Sequence, residues 1–226
     1  MHIMEGFLDP IWCVIWFVIA APFVILGAKK IIELIRDHPE HKMTIALSGA
    51  FIFLLSSLKL PSVTGSSSHP TGTGFSVVLY GVCATSFLAT IVLIFQALLL
   101  AHGGLTTLGA NVFSMGVAGP AAGLGVWLLL RKSTDNIPIC LLFATLVADL
   151  FTYVVTAFQM TLNHGQSIDA FVDFLTNYAA TQVPLAIIEG ILFFLFAIFL
   201  MSNKPEVFDI AAGNAKSEEP EAEAEA

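Results

Sequence analysis

The first two residues, Met1 and His2, carry three nitrogen atoms that can reach a single metal ion. A free amine on Met1, the backbone amide of His2 and Nδ1 of its ring close a five-membered and then a six-membered chelate ring. One position in the plane of these nitrogens stays open. Tetragonal nitrogen coordination suits Ni(II), Cu(II) or low-spin Co(II) better than Zn(II) or Mg(II). The N-terminal residues therefore indicate binding of a divalent transition metal.

A fourth nitrogen is offered by His69, which lies in the stretch PSVTGSSSHPTGTG, residues 61–74. This stretch is too rich in Gly, Pro, Ser and Thr to continue a helix. The competing interpretation is that His2 is incidental to the translation start and His69 is an ordinary surface residue. The residue types alone leave these two interpretations equally open.

Further polar residues stand inside apolar blocks, where ionisable groups are costly. Their spacing places Asp149, Thr152, Thr156 and Gln159 on one helix face, and Gln182 shares another face with Glu189. They are expected to hold helices together; alternatively, Asp149 or Glu189 orients a ligating imidazole without touching the metal. His102, before two glycines, is expected either to line the interior in such a role or to cap a helix.

The composition is that of an integral membrane protein, with 57% hydrophobic and 12% charged residues. The net charge of -8 is concentrated at the C-terminus, where residues 202–226 hold seven acidic side chains against two lysines. We therefore predict a transmembrane domain over residues 1–201 and a disordered acidic tail over 202–226. No basic stretch precedes the first apolar run, so this run is expected to be a retained span that leaves Met1 in the mature protein.

Apolar blocks of membrane-spanning character cover residues 11–27, 44–58, 75–101, 112–130, 137–160 and 178–201. Lys29, Lys30 and Arg36 follow the first block, which predicts a cytoplasmic loop there and an N-terminus outside. One crossing per block would leave Arg131 and Lys132 outside. A further crossing or re-entrant segment within residues 75–131 removes this conflict, with candidate breaks at Gly81, Gly103, Gly104 and Gly109. The prediction is an all-α bundle of six to seven membrane segments, with seven favoured and the tail in the cytoplasm.

Gly119 and Gly123 have the GxxxG spacing that allows close helix packing in lipid. The motif GxxxxGK[ST] for ATP hydrolysis is absent, as are HExxH and any basic, aromatic patch for nucleic acid. HPEH, from His38 to His41, is interpreted as a solvated loop because Pro39 disfavours a helix.

Several separated motifs resemble the CbiM/NikM family: MHIMEGFL, SSSHPTGTG, LIFQALLLAHGGLTTLGANVFSMGVAGP, DLFTYVVTAFQ and TQVPLAIIEG. Members of that family are substrate-capturing membrane components of energy-coupling-factor transporters for cobalt and nickel. The resemblance runs from Met1 to about Met201, and it implies that the metal site comprises the Met1 amine, the His2 amide and ring, and His69. Members usually have proline at position 4, where this chain has Met4, a change expected to affect loop stiffness more than coordination.

The resemblance further implies import of Co(II) or Ni(II) across the cell membrane for cobalamin biosynthesis, with no organic cofactor. The implied partners are a transmembrane coupling (T) subunit, a cytosolic ATPase (A) subunit and a small auxiliary membrane protein. An autonomous channel or secondary permease, lined by Asp149 and Glu189, is the alternative function. An intramembrane metalloenzyme is disfavoured, because four nitrogen donors leave little room in the plane for a reactive water.

Overall fold

The structure is a computed structural model that describes residues 1–62 and 65–211. Within this part of the chain, five helical stretches are long and apolar enough to cross a membrane, and a further helix, Lys42–Ser57, is shorter. The predicted helical, multi-pass fold is confirmed at this level. The helices are α1 (Pro10–Asp37), α2 (Lys42–Ser57), α3 (Thr73–Leu100), α4 (Leu108–Asn111), α5 (Gly119–Arg131), α6 (Ile137–His164) and α7 (Ile168–Asn203), and a π-helical segment, Val112–Ala118, joins α4 to α5.

Several helices extend beyond the apolar blocks that predict them. Helix α1 continues through Lys29 and Lys30 to Asp37. Helix α7 begins at Ile168 rather than near residue 178, because the side chain of Ser167 accepts a hydrogen bond from the Ala170 amide at 3.1 Å and caps the helix. Hydropathy marks the part of a helix that suits lipid, whereas helical hydrogen bonding continues into the polar ends.

Helix α3 is broken at Gly81, whose φ of 78° and ψ of 175° lie outside the helical region. Glycine adopts such a positive φ without the strain that a Cβ atom would cause. Residues 73–80 are buried, and the open side of Gly81 faces the Lys30 ammonium near the end of α1. At the other end of α3, Lys59 Nζ donates to the carbonyl oxygen of Leu100 at 3.2 Å. Gly81, one of the predicted breaks, thus divides α3 into two parts.

The predicted close packing at Gly119 and Gly123 is confirmed between α5 and α6. A Cβ atom on Gly119 would lie 2.6 Å from the carbonyl oxygen of Ala148, and one on Gly123 would lie 2.6 Å from that of Ala144. At these separations only the hydrogen atom of a glycine fits, and a Cβ atom would clash. The two glycines therefore set the distance between the helix backbones.

A small antiparallel sheet, absent from the sequence prediction, joins the N-terminus to the loop after α2. Its strands are β1 (His2–Ile3), β2 (Leu60–Pro61) and β3 (Ser66–Ser68), in the spatial order β1-β3-β2. At the other end of the chain, a 3₁₀ turn over Pro205–Phe208 packs the buried ring of Phe208 into the core. Residues 212–226 lie outside the described residues, so the division of the chain at residue 201 stays a prediction.

Candidate metal centre

Strand pairing brings the N-terminus to His69. His2 pairs with Ser67 and Ile3 pairs with Ser66, so the first residues lie beside the end of β3, directly before His69. The Met4 amide extends this pairing by donating to the carbonyl oxygen of Gly65 at 3.0 Å. A proline at position 4 would have no N–H for this bond. In this chain Met4 therefore adds a backbone hydrogen bond that fixes the N-terminal strand.

Three buried imidazole rings converge at this point. His2, His69 and His102 each offer one ring nitrogen, and these nitrogens all lie within 4.8 Å of one another. The ring centroid of His2 is 4.2 Å from that of His69 and 4.4 Å from that of His102. Of the two predicted roles for His102, the interior position is the one observed. The predicted pair of His2 and His69 is joined by a third imidazole.

Hydrogen bonds of the other ring nitrogens indicate which nitrogens keep a lone pair for a metal. Nδ1 of His69 lies 2.8 Å from the carbonyl oxygen of Pro70 and must donate to it, which leaves Nε2 with a lone pair. Among the described residues this buried Nε2 has no hydrogen-bond partner. Nε2 of His2 lies 3.2 Å from Sδ of Met115, which can only accept, so Nδ1 of His2 keeps its lone pair. Both rings thus present the nitrogen that the chelate requires.

Burial keeps the nitrogen donors uncharged near neutral pH. It lowers the pKa of the Met1 amine to about 6, against the opposing influence of the Asp149 and Glu189 carboxylates. It also lowers the pKa of His2 well below the usual range, assisted by the neighbouring His69 and His102. For His102, burial and the charge of Lys59 lower the pKa to about 3. Metal coordination requires deprotonated nitrogen, so these shifts favour binding of a cation.

Glu189 fixes the loop that follows His69. Its carboxylate accepts hydrogen bonds from the backbone amides of Thr71, at 2.6 Å, and Gly72, at 2.9 Å. Glu189 and Thr71 are both buried, and the Thr71 hydroxyl donates to the same carboxylate. Glu189 on α7 therefore contacts the loop backbone rather than an imidazole.

Asp149 acts on the same loop through Gln182. The side-chain Nε2 of Gln182 donates to the carbonyl oxygen of His69 at 2.9 Å and to Oδ1 of Asp149 at 2.6 Å. Oδ2 of Asp149 has no hydrogen-bond partner among the described residues. Further along the same face of α6, Gln159 donates to the carbonyl oxygen of Ala110 at 3.0 Å and links two helices. The polar faces thus serve helix association and loop placement together.

The sequence alone does not predict that Asn111 and Met115 belong to the site. Asn111 contacts the backbone of Ile3, and Met115 lies in the π-helical segment against His2. Such π-helical turns occur frequently at functional sites. A polar residue within the otherwise apolar run from Leu108 onward was the available signal for Asn111.

A second group of donors lies on the surface, distant in sequence from the first. A 3₁₀ turn over Pro39–His41 places donor atoms of His38, Glu40 and His41 within 4.8 Å of one another. His38 and Glu40 are more than half exposed. The predicted solvated loop is therefore observed, although the turn brings the two histidines closer than the proline suggested.

Comparison with known proteins identifies the family. Residues 2–207 match the family CbiM, described as the cobalt uptake substrate-specific transmembrane region. The chain belongs to this family. It is therefore a membrane component of cobalt uptake, and its membership in the family indicates a transport protein. Its relatives are named as transport proteins.

Several CbiM relatives match nearly the whole chain. A putative cobalt transport protein CbiM 2 of Methanosphaerula palustris is 46% identical over 92% of this chain and 90% of its own length. The cobalt transport protein CbiM of Nostoc sp. is 47% identical over 97% of this chain and 87% of its own length. A crystal structure of a transition metal transporter, 23% identical, superposes with a TM-score of 0.80 over 89% of this chain and 93% of that one, which shows a shared fold.

Proposed function

We propose that this chain captures Co(II), with Ni(II) as the competing ion, through the Met1 amine, the amide and Nδ1 of His2, and Nε2 of His69. The observation that carries this proposal is the buried Nε2 of His69, which has a lone pair and no partner among the described residues. A buried polar atom without a partner is costly unless a ligand satisfies it. The pairing of His2 with Ser67, two residues before His69, supports including the N-terminal nitrogens.

We further propose that the chain crosses the membrane seven times, with the N-terminus outside and the tail inside. The extra crossing lies within residues 65–80, which lead through β3 to the turn at Gly81. Two contacts support this path: Gly81 faces Lys30 at the inner end of α1, and Leu100 meets Lys59 at the outer end of α2. On this path Arg131 and Lys132 join Lys29 and Lys30 on the cytoplasmic side, as the positive-inside rule requires.

In this proposal the chain is the substrate-binding subunit of an energy-coupling-factor ABC transporter of the cell membrane. A transmembrane T subunit, a cytosolic ATPase A subunit and a small auxiliary membrane protein complete the transporter, and the imported cobalt supplies cobalamin biosynthesis. The support is membership in the CbiM family, together with a sequence in which the motif GxxxxGK[ST] does not occur. No organic cofactor takes part.

The binding proposal is tested by isothermal titration of Co(II) into the purified protein in detergent. A flexible extension of several residues before Met1 moves the terminal amine out of the chelate, and we expect it to abolish high-affinity binding. His2→Ala and His69→Ala are expected to do the same. The controls are the same extension added at the C-terminus and His164→Ala, since His164 is exposed and outside the cluster. Unchanged affinity in the extended protein would disprove the chelate.

The transport proposal is tested in vesicles that contain the chain with or without the T, A and auxiliary subunits. We expect radioactive cobalt uptake only when all of these subunits and ATP are present. Uptake by the chain alone, driven by membrane potential, would instead favour a channel or secondary permease.

A further inference from the structure

A cavity of about 310 Å³ leads to one imidazole of the cluster, that of His102. Its walls come from the sheet, at Pro61 and Ser67, and from the chain around Ala101 and Gly103, with Lys59 beside them. His102 lines this cavity, whereas His2 and His69 do not and are fully buried. An ion that arrives through the cavity therefore meets His102 before it meets the N-terminal nitrogens.

The position of His102 suits direct coordination. Its Nε2 lies 3.2 Å from Nδ1 of His2 and 2.7 Å from Oγ of Ser67. With metal–nitrogen bonds of about 2.0–2.1 Å, two nitrogens at that separation subtend an angle of about 100° at the metal. This is near the right angle between adjacent ligands of one ion. Oγ of Ser67 contacts this Nε2 while the site is empty, and the contact is given up when an ion binds there.

We propose that His102 is a fifth nitrogen ligand, which receives the ion from the cavity and then occupies the position above the plane of the other four donors. This inference rests on the proposed function, because the plane consists of the Met1, His2 and His69 nitrogens. The sequence allowed His102 only an orienting or capping role. Its distance from His2 and its place at the end of the cavity assign it a direct one.

A ligand above the plane also bears on the choice of metal. Ni(II) with strong nitrogen donors adopts a square-planar geometry, whereas Co(II) accepts an additional axial donor. His102 therefore favours Co(II) over Ni(II). Removing this imidazole shifts the preference of the site towards Ni(II).

The experiment is X-ray absorption spectroscopy at the cobalt edge on the purified full-length chain, loaded with less than one equivalent of Co(II). We expect the spectrum to show scattering from three imidazoles bound to cobalt. We also expect its absorption edge to lack the feature that marks a square-planar ion. In His102→Ala we expect two imidazoles, association of Co(II) about tenfold slower by stopped flow, and a ratio of Co(II) to Ni(II) affinity reduced by a similar factor. His164→Ala is the control and should match the unaltered protein.

Two imidazoles and a square-planar edge in the unaltered protein would overturn the inference, and this measurement needs no variant. Unchanged association and selectivity in His102→Ala would overturn it as well. Ser67→Ala separates ligation from hydrogen bonding: it removes the hydroxyl that contacts His102, yet three imidazoles should remain. If His2→Ala abolishes binding while His102→Ala retains the native spectrum, only the role of His102 fails. If His2→Ala binds normally, the proposed function fails.

Discussion

The side-chain amide of Asn111 pairs with both backbone polar groups of Ile3, accepting from its N–H at 2.8 Å and donating to its carbonyl oxygen at 3.0 Å. Asn111 thereby acts as a neighbouring strand on the edge of β1 that β3 leaves free. The Thr107 hydroxyl is a second donor to the same carbonyl oxygen, at 2.9 Å. The position of the N-terminal nitrogens thus depends on a side chain that touches none of them.

The first prediction concerns Asn111→Ala, which leaves the buried N–H of Ile3 without its acceptor. An unpaired buried donor costs about 1–3 kcal/mol. Without this hydrogen bond the N-terminal strand has more conformational freedom in the metal-free variant. Metal binding must remove that freedom, so we expect Co(II) affinity to fall about tenfold. Titration calorimetry measures this effect. Asn203→Ala is the control, because Asn203 is exposed and its side chain donates to the carbonyl oxygen of Phe199 in its own helix. Equal affinities of the two variants would contradict the role of Asn111.

The second prediction concerns Glu189→Gln. The carboxylate now receives two backbone N–H groups and a hydroxyl, and an amide would turn its NH₂ group towards one of these donors. Hydrogen bonds to charged groups contribute about 1.5–3 kcal/mol. We expect a lower melting temperature in detergent and weaker Co(II) binding, since the loop carrying His69 is loosened. The control is Glu206→Gln, at an exposed position, which should have the same melting temperature as the unaltered protein. A stable Glu189→Gln protein with native affinity would show that the carboxylate is dispensable.

The sequence predicts those parts of the molecule that rest on repeated or compositional signals. Hydropathy locates the long helices, GxxxG spacing locates the contact of Gly119 and Gly123 with α6, and ligand chemistry selects His2 and His69. Strands of two or three residues carry no periodicity, so the pairing of His2 with Ser67 is invisible before the fold is known. The roles of Asn111 and Met115 and the contact of His102 with His2 depend on contacts between distant parts of the chain, which local sequence does not encode.

The third prediction compares Gly123→Ala with Gly125→Ala. A Cβ atom at Gly123 would meet the carbonyl oxygen of Ala144 at 2.6 Å, whereas nothing lies within 4 Å of one at Gly125. Alanine favours a helix over glycine by about 0.8–1.0 kcal/mol, but overpacking costs about 1–3 kcal/mol. We therefore expect Gly123→Ala to lower the melting temperature and Gly125→Ala to leave it unchanged or raise it. Equal shifts in the two variants would mean that α5 and α6 do not pack as described.

The last prediction concerns Asp149→Asn, which replaces a buried carboxyl group near the Met1 amine by an amide of similar size that cannot become negatively charged. An asparagine oxygen can still accept from Gln182, so the support of the His69 carbonyl is retained. A buried divalent ion interacts strongly with nearby charge, because the surroundings screen it weakly. We expect Co(II) affinity to fall at least tenfold while the melting temperature of the empty protein changes little.

Asp209→Asn is the matched control, since it removes a carboxylate that is exposed and lies beyond α7. If Asp149→Asn lowers Co(II) affinity no more than expected from the loss of stability that its lower melting temperature reports, Asp149 serves helix packing alone. If affinity falls with stability retained, its carboxylate balances the charge of the bound ion. Gln182→Leu then separates the two contributions, because it breaks the link to His69 and leaves the charge of Asp149 in place. The charge model requires Gln182→Leu to lose less affinity than Asp149→Asn.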